Sequence, residues 1–97
     1  MARVTRSRRV EEDLLAIAEY IAGDNPGAAA RWLDEMERTF ALLASYPSVG
    51  HEVGHLRPGL RRFCSGSYLI YFEPASDGVR VVRVLHGSRQ IEEPSEF

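Results

Sequence analysis

The sequence predicts an α+β domain of order β-α-α-β-β-β, an antiparallel sheet with a helical hairpin on one face. Two observations carry this. Two amphipathic stripes of helical period occupy residues 10–43. The second half, from Leu56 to Arg89, breaks into three short strand-like runs separated by Gly-bearing turns. A sheet so built has an apolar face that a helix pair can cover. At 97 residues the chain is expected to form one domain, 1–97, since a chain this short supports a single core.

The elements follow in order. Ala2–Thr5 reads as a strand ending at Ser7, a helix N-cap. Val10, Leu14, Ile17 and Ile21 then lie on one helix face, with Glu11, Glu12 and Asp13 where the dipole favours anions. Gly23 suits the C′ position of that helix. Asn25-Pro26 starts the second helix, with Asn25 as cap and Pro26 in the first turn. Its stripe is Ala29, Trp32, Leu33, Met36, Phe40 and Leu43, and Pro47 ends it. Pro47–Gly59, rich in Pro and Gly, reads as a loop. Leu60–Ser65, Ser67–Pro74 and Val79–His86 are strands, with Asp77-Gly78 as a hairpin turn.

The net charge of −2 conceals a segregation. Four arginines fall within residues 1–10, nine acids face two arginines in 11–52, and six arginines face two acids in 53–89. The tail adds Glu92, Glu93 and Glu96. All 12 basic residues are arginine. On half-buried strand positions arginine needs a carboxylate, a phosphate or a partner molecule. No apolar run is long enough to span a membrane, and the N-terminus lacks the apolar core of a secretory signal. A lone cysteine, Cys64, forms no internal disulfide, so a reducing cytoplasm is the expected location. Its mid-strand place predicts a buried, inert thiol.

His51-Glu52-Val53-Gly54-His55 is a literal H-E-x-x-H, the pattern of a zinc peptidase. That chemistry needs both histidines on one helix turn with a rigid body behind them. Pro47 and Gly50 before the match, and Pro58-Gly59 after it, leave no room for such a helix. A loop is the reading favoured here, with no metal and no cofactor expected; the zinc peptidase stays as a remote alternative.

Strict alternation places Arg83 on one face of the last strand with Val79, Val81 and Leu85, and His86 on the other with Arg80, Val82 and Val84. A hairpin covers one face only, so the other should present a partly apolar, arginine-bearing surface, a composition common at interfaces. Arg83 either meets a partner there or pairs with a helix carboxylate such as Glu19. Tyr68, beside the Gly66 turn, is the aromatic expected nearest the surface, while Phe63, Tyr71 and Phe72 belong to the sheet core. Arg61 and Arg62 point to opposite faces.

The run DLLAIAEYIAGDNPGAAARWLDEMERTFALLASYPSVG, followed by LRPGLRRF, GSYLIYF and VRVVRVLHGSR, resembles the ParE branch of the ParE/RelE toxins of bacterial toxin–antitoxin modules. The resemblance covers nearly the whole chain. It implies the β-α-α-β-β-β fold, a small cytoplasmic toxin, a ParD-like antitoxin that wraps it, and DNA gyrase as target. The RelE branch implies ribosome-dependent mRNA cleavage instead. RelE-like chemistry wants lysines around the strand at Leu60–Ser65, an arginine where Tyr68 stands, an arginine after the last strand and an aromatic base in the tail. Only Arg89 matches clearly; Arg61 falls near one position, and EEPSEF offers only Phe97, which carries no proton. Related nucleases use a histidine where His86 lies. The expectation is a gyrase-directed toxin without a catalytic set, with a nuclease built on Arg61, His86 and Arg89 as alternative. By position and residue type, Arg61, Arg62, Tyr68, Arg83, His86 and Arg89 are the candidates for target or antitoxin contact.

Overall fold

A computed structural model describes residues 2–89 and residue 97. The chain runs β1 (Arg3–Arg6), α1 (Arg8–Asp24), α2 (Pro26–Ser45), β2 (His51–Glu52), β3 (Arg61–Ser65), β4 (Tyr68–Ala75) and β5 (Gly78–His86). The α+β class and the helical hairpin on a sheet are as the sequence predicts. Two points differ. The sheet has five strands in the order β1-β5-β4-β3-β2, because the Pro/Gly loop contains the two-residue strand β2. The sheet is also mixed: β1 pairs with β5 in parallel, the other pairs being antiparallel. The parallel pair is possible because the hairpin α1–α2 and three strands intervene before the chain returns.

The helix boundaries have local causes. The Ser7 side chain accepts a hydrogen bond from the Val10 amide, capping α1. Asn25 ends α1 and starts α2: its amide donates to the Ile21 carbonyl, and its side chain accepts from Ala28. Gly23 is therefore inside α1 and not a left-handed terminator, since the shared asparagine in extended backbone makes the corner. Gly50 and Gly78 are required by close approach. Gly50 has φ +85°, and a Cβ there would sit 2.4 Å from the Arg62 carbonyl oxygen. At Gly78 a Cβ would lie 1.9 Å from the Arg3 oxygen, closing the gap that β1 uses.

The core is split by the sheet. Val10, Leu14, Trp32, Met36, Phe40 and Leu43 of the helices pack on Ile70, Phe72, Val79, Val81 and Val84. A second cluster lies on the opposite face: Val53, Leu56 and Leu60 of the loop cover Tyr71, Val82 and Leu85. Each fully buried side chain of this size contributes about 1.5–3 kcal/mol. The face the sequence leaves open is thus largely closed by the chain's own 53–60 segment, with Val82 3% and Leu85 4% exposed.

Strict alternation fails on β5. The register steps from Tyr71↔Arg83 to Phe72↔Val81, so Val82 is an extra residue, a β-bulge. Val84 therefore joins Val79 and Val81 on the helix side, and Leu85 joins Val82 on the other. Both groupings drawn from period 2 are corrected by this one insertion.

Candidate interaction site

At one end of the sheet Ser65, Tyr68 and His86 lie in a single cross-strand row. The Tyr68 ring, half-buried, sits between Trp32 of α2 (centroids 5.1 Å apart) and His86 (5.4 Å, edge-on). The α1 residues Ala16, Ile17 and Tyr20 face this row across a cleft of about 400 Å³, which Ser88 completes. An adjoining hollow of about 220 Å³ runs along α1 to Arg89 and is lined by Asp13 and Val84 as well. The walls are apolar and aromatic with a few polar groups, the usual make-up of a recognition site. Tyr20 is 82% exposed at the rim.

His86 is held in one tautomer. The Ser88 amide donates to Nδ1 at 3.1 Å, and the Ser88 hydroxyl lies 2.8 Å from the same nitrogen. Nδ1 is thereby an acceptor, and the neutral ring carries its proton on Nε2. The exposed ring presents an N–H donor at the cleft. Arg89, exposed and following in the turn, donates its amide to the His86 carbonyl.

Arg83 has a different place. Its side chain is 3% exposed, and Nε and Nη2 donate to the two oxygens of Asp13 at 2.9 and 3.0 Å. The Val84 amide donates to the same carboxylate at 3.0 Å. The carboxylate partner comes from α1, as one sequence reading had it, but it is Asp13 and not Glu19. The reason is an edge. β1 pairs with β5 only as far as Val81. Beyond it, the Ser7 hydroxyl donates to the Val82 carbonyl at 2.9 Å and Asp13 takes the Val84 amide, so side chains complete a strand edge that β1 does not reach.

Arg61 is also internally engaged. Its Nε donates to the Val49 carbonyl at 3.1 Å, and Nη2 donates to the carbonyls of Ser48 (2.5 Å) and Gly50 (3.1 Å). Arg61 pairs with Phe72, whereas Ser65, in the Tyr68–His86 row, is four residues further along β3, roughly 13 Å at strand rise. The structure therefore brings Tyr68, His86 and Arg89 together and leaves Arg61 and Arg62 apart from them. Arg62 opposes Tyr71 in the row that includes His51.

The H-E-x-x-H run is not helical. His51 and Glu52 form β2, Glu52 lies 3.4 Å from Arg61, Val53 is buried, and Gly54–His55 turn away. Among the described residues no group of three or more His, Cys, Asp or Glu is placed to hold a metal. Cys64 is exposed, contrary to the buried thiol expected, because it lies on β3 beyond the two residues that β2 pairs. Glu92, Glu93 and Glu96 lie outside the described residues; Phe97 packs on Tyr71 at 5.1 Å between ring centroids. No described helix is long and apolar enough to cross a membrane.

Three cleft residues escaped the sequence reading: Tyr20, Trp32 as a wall of Tyr68, and Ser88. Tyr20 carried a signal, an aromatic three residues after Ile17 on the margin of the α1 stripe. Asp13 carried another: three residues after Val10 and four before Ile17, it flanks the buried stripe and so requires a cation.

Comparison with known proteins agrees over nearly the full length. Residues 4–91 match the family described as the ParE toxin of type II toxin-antitoxin system, parDE. Toxin ParE3 of Caulobacter vibrioides is 31% identical over 88 residues, 90% of this chain and 88% of that protein. Toxin ParE1 of the same organism is 37% identical over 86 residues, 84% and 85% of the two chains. A solved structure titled "Chromosomal ParDE TA system from P. aeruginosa" superposes with a TM-score of 0.72 at 18% identity, covering 89% of this chain and 96% of that one, which shows the shared fold.

Proposed function

We propose that this chain, which belongs to the ParE toxin family of type II toxin–antitoxin systems, arrests growth in the cytoplasm by acting on DNA gyrase and is neutralised by a cognate ParD-like antitoxin. The observation that carries the reading is the family match over residues 4–91. The geometry favours the gyrase-directed reading over RNA cleavage. A nuclease must stabilise a phosphorane, and each missing electrostatic contact of that kind costs about 10²–10³ in rate. Here Arg61 is spent on three loop carbonyls, Tyr68 stands where a cation is wanted, and only His86 and Arg89 adjoin the cleft. Catalysis is not needed for a toxin that works by occupying a protein surface. The cleft between α1 and the Tyr68–His86 row is the contact surface in this reading: an aromatic wall, an imidazole donor and the neighbouring Arg89 suit a polypeptide segment bearing an apolar anchor and a carboxylate.

The test is expression without antitoxin. Plasmid supercoiling, DNA-break signalling and mRNA integrity are followed together, and purified gyrase is assayed with the purified toxin. Loss of supercoiling with intact mRNAs is expected. Codon-positioned mRNA cuts on ribosomes that vanish in His86→Ala, with gyrase unaffected, would overturn the reading.

A further inference from the structure

The second face of the sheet contains two polar atoms that the fold itself leaves unanswered. Tyr71 is fully buried, and among the described residues its hydroxyl has no hydrogen-bond partner. Arg62, directly opposite on β3, has a buried Nε that is equally without one. Residues directly opposed on neighbouring strands share a face and stand about 4.5–5.5 Å apart at Cβ. Orphaned buried donors are rare and destabilising, so two of them on directly opposed residues ask for a ligand that accepts from both. The same row continues on β2 with the exposed His51, the first residue of the H-E-x-x-H run that the fold does not use as a metal motif.

We propose that Arg62 and Tyr71, with His51 beside them, form a phosphate-binding site on the second face of the sheet, away from the α1 cleft and independent of the gyrase and antitoxin readings. The donors decide the chemistry. A guanidinium, a phenol and an imidazole on three adjacent strands span two inter-strand gaps, roughly 10 Å. A planar carboxylate satisfies the guanidinium alone. A tetrahedral phosphate sends oxygens in several directions and meets the donors together. The charge agrees. The row holds no acid: its fourth member, Arg83, is balanced by Asp13. Among the described residues, the acids on the neighbouring strands are engaged, Glu73 with Arg57 and Arg80, and Glu52 with Arg61. One guanidinium balances one negative charge, so a phosphodiester fits this half-buried place better than a dianion, whose second charge would go uncompensated. Phe97, its ring tilted 53° to that of Tyr71 and lying 6.0 Å from the Arg57 guanidinium, supplies an apolar wall.

Such a phosphodiester belongs to a free small molecule or to a nucleic-acid backbone, and the experiment separates the two. The purified chain is titrated by NMR with dimethyl phosphate, with a 12-base-pair DNA duplex and with acetate, as wild type, Tyr71→Phe and Arg62→Gln. Binding of a phosphodiester probe is expected, weakened at least about fivefold in Tyr71→Phe and more in Arg62→Gln. Tyr71→Phe should melt at the same temperature as wild type or higher, because the hydroxyl has no partner among the described residues. Binding of the duplex with the same losses assigns the backbone source; binding of dimethyl phosphate alone assigns the free one. Three results overturn the proposal: no binding of either phosphate probe, equal binding of acetate, or a Tyr71→Phe chain that binds as well as wild type.

Discussion

Replacing Asp13 by alanine is the sharpest test of how β5 is held. Its carboxylate accepts three hydrogen bonds, two from the Arg83 guanidinium and one from the Val84 amide. Without it, a side chain 3% exposed keeps its charge with its principal counter-charge gone, and a strand amide loses its acceptor. Breaking a buried pair by removing one partner costs about 3–5 kcal/mol. Asp13 keeps 12% of its side chain in contact with solvent, so water offsets part of the loss and the lower end applies, about 3 kcal/mol. A domain of this size is stable by about 5–15 kcal/mol, and each kcal/mol moves its melting point by about 4–8 °C. Circular-dichroism melts of Asp13→Ala should therefore fall by roughly 12–24 °C. Asp13→Leu combined with Arg83→Met should recover most of the loss, because apolar replacement of a whole buried pair is often neutral. A melt of Asp13→Ala within about 4 °C of the parent would refute the argument, as would a double variant no more stable than the single one.

Three other outcomes follow from the same geometry. Ser7→Ala removes both the cap of α1 and the donor to the Val82 carbonyl, and urea denaturation should show a loss of about 1–2 kcal/mol. Gly78→Ala places a methyl group where the Arg3 backbone runs, so β1 should detach: amide exchange at residues 3–6 should rise sharply while that in β4 changes little. Arg61→Ala frees the carbonyls of Ser48, Val49 and Gly50; limited proteolysis should cut within residues 47–52 at rates several-fold above the parent, with α1 and α2 intact.

The helices and the long strands are legible in the sequence because each has a period and a punctuation mark. Ser7 and Asn25 cap where they are read to cap, since their short polar side chains accept from amides that the helix leaves unpaired, and Pro26 follows in the first turn, where no amide is needed. What escapes is decided by contacts remote in sequence. The strand β2 has two residues and no period of its own; it exists because Arg62 and Arg61 of β3 offer it a ladder. The parallel pairing of β1 depends on Gly78 leaving room. The bulge at Val82 shifts alternation by one residue, and no local pattern in a run of valines marks such a step. The site was legible in the same partial way. Tyr68, His86 and Arg89 come together because β4 and β5 form a hairpin with a readable turn, but the helix wall of the cleft depends on how α1 crosses β5, which periodicity does not give.

The arginines show why residue type alone misassigns sites. On the sequence, the six arginines of residues 53–89 look alike, and a basic surface for a partner and pairing with carboxylates of the fold both stay open. The fold divides them. Arg83 closes the edge of β5 through Asp13, Arg61 fastens a loop through its carbonyls, and Arg57 and Arg80 share Glu73. These four serve the fold, and substituting them reports on stability before it reports on activity. Arg89 belongs to the cleft, and Arg62 carries a buried donor with no partner among the described residues. A loss of toxicity in an Arg83 or Arg61 variant therefore carries no information about the target unless its melting temperature is unchanged. A loss in an Arg89 variant of full stability does carry it. A donor whose removal stabilises or spares the fold while weakening a binding event has been kept for that event, and Tyr71, opposite Arg62, is where this chain offers the contrast most cleanly.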